Sequence, residues 1–92
     1  MNIGWTTLAS REEAEKLAHD VVDDRLAICA QVDGPILSFY RWQGKMDSEN
    51  EYRVTIKFLS ENTERIESWM GEKHPYEVPQ WVTVPIDRVL PV

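Results

Sequence analysis

The residues best suited to chemistry in this chain lie in one short segment, Lys73-His74-Pro75-Tyr76-Glu77-Val78-Pro79. A histidine before a proline is biased towards extended backbone, where an imidazole nitrogen can serve as a borderline ligand for a transition metal. Glu77 adds a carboxylate oxygen nearby, and Tyr76 adds an aromatic wall with a polar tip. The same residues also read as a plain helix stop, with His74 near the last helical carbonyls and Tyr76 packed on a sheet. Cys29 is either a soft ligand or a small core residue at the start of a strand. Trp5, Trp42 and Trp81 can line a ligand pocket, or fill a core or a subunit interface. Asp20, Asp23 and Asp24 suit the solvated face of a helix better than a cation site, and His19 beside them has no assigned role.

Several chemistries are excluded by what is missing. One cysteine permits no intramolecular disulfide and no four-cysteine zinc site. The loop Thr6-Thr7-Leu8-Ala9-Ser10-Arg11 lacks the C-x-x-C pair of soft-metal chaperones. No G-x-S-x-G, Walker or G-x-G-x-x-G pattern occurs, so neither an elbow nucleophile nor a phosphate cradle is encoded. An acylphosphatase-like site would rest on Arg11 alone. Sixteen acidic against ten basic residues give a net charge of -6, which opposes binding to nucleic acid or to an anionic membrane surface. The chain shows no basic start followed by an apolar run, and no apolar stretch near the roughly 20 residues that span a bilayer. A protein of the cytoplasm, a reducing compartment, is expected.

These residues need elements to position them. Ninety-two residues, 42% of them hydrophobic, suit a single packed domain over 1–92. Ile3–Leu8 reads as a short strand, and Ser10-Arg11-Glu12-Glu13 is a capping box. From Arg11, the apolar positions Ala14, Leu17, Ala18, Val21, Val22 and Leu26 recur at helical spacing and predict about four turns of helix. Ala27–Trp42 reads as one long strand kinked or bulged at Gly34-Pro35. Gln43-Gly44 has turn chemistry, Lys45–Asn50 is polar, and Glu51–Leu59 alternates as a strand. A second helix is predicted over Glu61–Lys73, capped by Ser60 or Asn62, and a last strand over Gln80–Ile86. The order β-α-β-β-α-β is that of the ferredoxin-like α+β fold, with a long hairpin between its second and third strands. RNA recognition on such a sheet needs a glycine-containing aromatic run on the third strand, and EYRVTIKFL has none. A core this small points to oligomerisation for further burial.

Four blocks in order, EEAEKLAHDVVDDRLAICAQV, SFYRWQGKM, EYRVTIKFL and KHPYEVPQWVTVPI, give the chain a whole-length resemblance to the CutA divalent-cation tolerance proteins. The resemblance implies a ferredoxin-like subunit of a homotrimer whose hairpins reach into neighbouring subunits. It implies a non-enzymatic function linked to tolerance of divalent metals, copper especially, and a build similar to the PII signalling proteins. The family's metal-binding histidine falls on His74 and the cysteine of its LAAC motif on Cys29. Tyr76 and Glu77 fall on the continuation of the histidine motif, and Arg41-Trp42-Gln43-Gly44-Lys45 on the hairpin tip. Thr6-Thr7 stands where some members carry a first-strand cysteine, and the sequence given ends at Asp87–Val92, where many members continue into a further helix. Two readings follow. In one, His74 and Cys29 hold a divalent transition metal; in the other, an intersubunit cleft near Trp42, Lys57, Tyr76 and Glu77 takes a small ligand or a partner peptide, or the trimer is a scaffold. A hydrolase using Arg11 or His74 would need a closed pocket around them.

Overall fold

Ser10 starts the first helix as its spacing predicts: its hydroxyl oxygen accepts the Glu13 N–H at 3.1 Å and the hydroxyl donates to Glu13 Oε1 at 3.1 Å. In the computed structural model, which describes residues 1–91, the elements are β1 (Asn2–Leu8), α1 (Arg11–Asp23), β2 (Cys29–Trp42), β3 (Lys45–Phe58), α2 (Thr63–Lys73) and β4 (Val82–Pro85). Val92, the last residue of the expected 1–92 domain, lies outside the described residues. Helix α1 ends a turn earlier than its periodicity predicts. Arg25 takes a left-handed φ of 61°, and the Leu26 N–H turns back to the Val21 carbonyl at 3.2 Å. Leu26 thus reaches the core from the turn and not from the helix. A single 3-10 turn, Ser60–Asn62, leads into α2, and neither Ser60 nor Asn62 caps it through its side chain.

The sheet is antiparallel with spatial order β2-β3-β1-β4. Alternation along the strands sends Thr6, Leu8, Val54, Ile56 and Phe58 to one face, where Ala14, Leu17, Val21, Ile66, Trp69 and Met70 of the two helices cover them. Strand β4 is shorter than predicted, because Trp81 leaves the ladder and lies on Gly4 and Phe58. Its ring packs so closely that a Cβ on Gly4 would stand 2.2 Å from the indole. The core reading of Trp81 is therefore the correct one. On the opposite face Ile3, Trp5, Val82 and Val84 are register neighbours, and among the described residues no helix covers them.

The hairpin is longer than its hydrophobic pattern reveals. Pairing begins at Trp42 with Lys45, across Gln43 (φ 50°) and Gly44 (φ 79°), so β3 starts six residues before the predicted Glu51. A two-stranded ribbon projecting from the body buries neither face, so the period-2 apolar signal is lost there. Gly34, at φ 147°, forms the predicted bulge, where the register shifts between Asp33 and Ile36. Beyond it Leu37, Phe39, Trp42 and Met46 are exposed.

Candidate functional site

His74 ends α2: its backbone N–H reaches the Met70 carbonyl at 3.0 Å, and its extended ψ of 133° before Pro75 stops the helix. That geometry turns the imidazole inward, leaving the residue 7% exposed. The Tyr76 backbone N–H donates to Nδ1 at 3.1 Å, so Nδ1 carries a lone pair and the proton sits on Nε2. Nε2–H in turn faces Thr6 Oγ1 at 2.9 Å and the Thr7 carbonyl at 3.1 Å. Both nitrogens are occupied within the chain. Burial lowers the imidazole pKa below its ordinary value, opposed by the Thr7 carbonyl and by the charges of Glu13 and Glu51. The ring is a neutral clamp joining β1 to the segment after α2. Thr6 and Thr7, the positions without the first-strand cysteine, are the residues it grips.

Tyr76 packs against the His74 ring with centroids 4.9 Å apart, and its hydroxyl donates to Glu51 Oε2 at 3.2 Å. Desolvation raises its phenol pKa, and the neighbouring Glu51 charge adds to the rise. Above this pair opens a cavity of about 720 Å³ between the hairpin and the chain after Tyr76, with Trp42, Tyr40 and Glu49 in its wall. Of the four residues expected at a ligand cleft, Trp42 and Tyr76 meet there. Lys57 does not: it lies six positions along β3 from Glu51, roughly 20 Å away at strand spacing, opposite Cys29. Glu77 is exposed and outside the cavity wall.

Cys29 and His74 are not brought together within one chain. Cys29 pairs with Lys57 on the sheet face away from the helices, whereas His74 meets Thr6 on the helix face. Among the described residues no three His, Cys, Asp or Glu side chains are grouped so as to hold a metal ion. Arg11 is engaged elsewhere, its guanidinium 5.0 Å over the Tyr52 ring and 3.4 Å from the Gly34 carbonyl. Sequence reasoning missed the acidic wall of the cavity, Asp47, Glu49 and Glu51. Their alternate spacing carries the signal once Lys45–Asn50 is read as strand.

Comparison with known proteins covers nearly the whole molecule. The family model of the CutA1 divalent ion tolerance protein matches residues 2–92. The chain is 33% identical over 89 residues to the divalent-cation tolerance protein CutA of Archaeoglobus fulgidus, covering 97% of this chain and 86% of that one. It is also 33% identical over 82 residues to the chloroplastic CutA protein of Arabidopsis thaliana, 89% of this chain but 45% of that longer one. Among solved structures, CutA1 of Pyrococcus horikoshii superposes with a TM-score of 0.92 at 30% identity, over 98% of this chain and 87% of that one. The Thermus thermophilus protein gives 0.92 at 30% identity, over 98% and 88%. A match running through both helices, the hairpin and the His74 segment, with the same fold at these identities, means that the chain belongs to the CutA1 divalent ion tolerance family.

Proposed function

We propose that the protein is a non-enzymatic, homotrimeric divalent-cation-binding protein serving metal tolerance, with copper the first cation to test. The observation that carries this reading is membership of the tolerance family across residues 2–92. The trimer draws support from apolar side chains that stay exposed among the described residues, Val82 and Val84 on the open sheet face and Leu37 and Phe39 on the hairpin. In this proposal His74 and Cys29 are the metal residues. Standing on opposite faces, they donate singly, and solvent or a neighbouring copy supplies the other ligands. His74 ligates only after Tyr76 N–H leaves Nδ1, so binding there moves the segment after the helix. Cytoplasmic localisation belongs to the same proposal; among the described residues no helix is long and apolar enough to cross a membrane.

The test is a calorimetric titration of the chain with Cu(II) at neutral pH, beside Cys29→Ser, His74→Ala and His74→Asn, with assembly mass recorded throughout. Asparagine keeps an acceptor for Tyr76 N–H while removing the imidazole. A saturable site lost in both His74 variants, at unchanged mass, supports ligation by His74; loss in Cys29→Ser alone moves the site to the open sheet face. Binding that survives all three substitutions removes these residues as ligands. A second reading, a small-ligand site, is favoured by the 720 Å³ cavity itself. Its acidic wall turns away the anionic ligands that Lys57 would have suited.

A further inference from the structure

Residues 75–80 join the end of α2 to Trp81 as irregular chain. Both ends of this stretch are fixed: His74 is buried at one, and Trp81 lies on Gly4 and Phe58 at the other. Pro75 and Pro79 carry no backbone N–H, and among the described residues 75–80 make no backbone-to-backbone hydrogen bond. What ties the stretch down between its ends is Tyr76. Its N–H donates to His74 Nδ1 at 3.1 Å, its ring centroid stands 4.9 Å from that of the imidazole, and its hydroxyl donates to Glu51 Oε2 at 3.2 Å. Glu77 and Val78, which follow, are exposed.

Because one residue makes all three contacts, withdrawing the N–H from Nδ1 carries the ring and the hydroxyl with it. The imidazole itself stays in place, since Nε2–H is held from β1 by Thr6 Oγ1 at 2.9 Å and the Thr7 carbonyl at 3.1 Å. A ligating imidazole is ordinarily oriented by such a bond from its other nitrogen to a carbonyl oxygen. Opening the stretch therefore leaves Nδ1 as an oriented donor. The other partner of the hydroxyl, Glu51, sits at the root of the hairpin, paired with Ile36 directly after the bulge and in the same chain. We propose that the hydrogen bond from the Tyr76 hydroxyl to Glu51 is a latch: closed, it keeps Tyr76 N–H on His74 Nδ1, and open, it lets residues 75–80 swing out and Nδ1 meet a divalent transition metal. Tyr76 and Glu51 are positioning residues here, and neither touches the metal. The proposal rests on the His74 reading for its consequence, whereas the opening itself needs no metal.

The experiment measures residue-resolved amide hydrogen exchange of the assembled chain, with a chelator present, in wild type, Tyr76→Phe, Glu51→Ala and Glu51→Gln. Loss of a hydrogen bond to a carboxylate should speed exchange of the amide at position 76 about tenfold in Tyr76→Phe and Glu51→Ala. Glu51→Gln, which keeps an oxygen acceptor, should fall between these and wild type. The His74 amide, bonded to the Met70 carbonyl, is the internal control and should not change. Stopped-flow mixing with Cu(II), with His74→Asn alongside, should show metal entry quickened by a similar factor in the two latch variants. Exchange at position 76 unchanged in both Tyr76→Phe and Glu51→Ala overturns the latch, as when a neighbouring copy packed on the hairpin holds Tyr76 shut. Exchange that rises equally at His74 and at position 76 also overturns it, because the opening is then that of the whole fold. Faster exchange without faster entry into a His74-dependent copper site overturns the control of metal access. If copper binding survives His74→Asn, the metal reading fails alone: faster exchange at position 76 still upholds the latch, and unchanged exchange still overturns it.

Discussion

Replacing His74 with alanine removes a clamp whose worth can be worked from its contacts. Three interactions go, with Tyr76 N–H at 3.1 Å, Thr6 Oγ1 at 2.9 Å and the Thr7 carbonyl at 3.1 Å. At about 1 kcal/mol net each, and with the Thr7 carbonyl and Tyr76 N–H left short of a partner, the loss should be about 3 kcal/mol. His74→Asn should recover about 1 kcal/mol, because its carbonyl oxygen can replace Nδ1 as acceptor for Tyr76. The assay is denaturant unfolding at pH 7.5, with protomer concentration fixed and a chelator present, and with the slope unchanged between variants. The same clamp predicts a pH dependence. Burial sets the folded pKa below the ordinary 6.5, so the unfolded chain binds more protons between the two values. The contribution is complete above pH 6.5 and is lost as pH falls from there through the folded value. His74→Ala should flatten that slope. A loss under about 1 kcal/mol, or a pH slope near 6 that is the same in wild type and variant, would refute the clamp.

Gly4→Ala should destabilise the fold by about 1–3 kcal/mol, since the new methyl meets the Trp81 ring and forces the indole off β1; thermal melts and Trp81 emission report it, and an unshifted melt would contradict the packing. Ser10→Ala should lower stability by about 1 kcal/mol through loss of the helix cap, read from the same denaturant curves, whereas Ser60→Ala should leave α2 unaffected at its cap because Ser60 caps nothing there.

How much of this could be read from the chain varies with what each residue has to contact. The first helix, its Ser10 cap, the bulge at Gly34-Pro35, the Gln43-Gly44 turn and the stop at His74-Pro75 are local events, decided by residues within a few positions of one another, and the sequence shows them directly. Burial on one face of the sheet was equally legible, because alternating apolar residues record it position by position. The outer half of β3 was not: a ribbon with two solvated faces leaves no apolar period, although its backbone is as regularly paired as the rest.

The site depended still more on contacts distant in sequence. Nothing near His74 says that Thr6 and Thr7, 68 and 67 positions away, will hold its Nε2, or that Glu51, 25 positions from Tyr76, will accept its hydroxyl. A histidine motif names the side chain but not which of its nitrogens keeps a lone pair. Thus the sequence by itself determined the family, the order of elements and the candidate residues, because each is written in local spacing. Only the tertiary structure decided that His74 is clamped, that Cys29 lies across the sheet from it, and that Lys57 misses the cavity, because these depend on strand register and on which face of the sheet each side chain occupies.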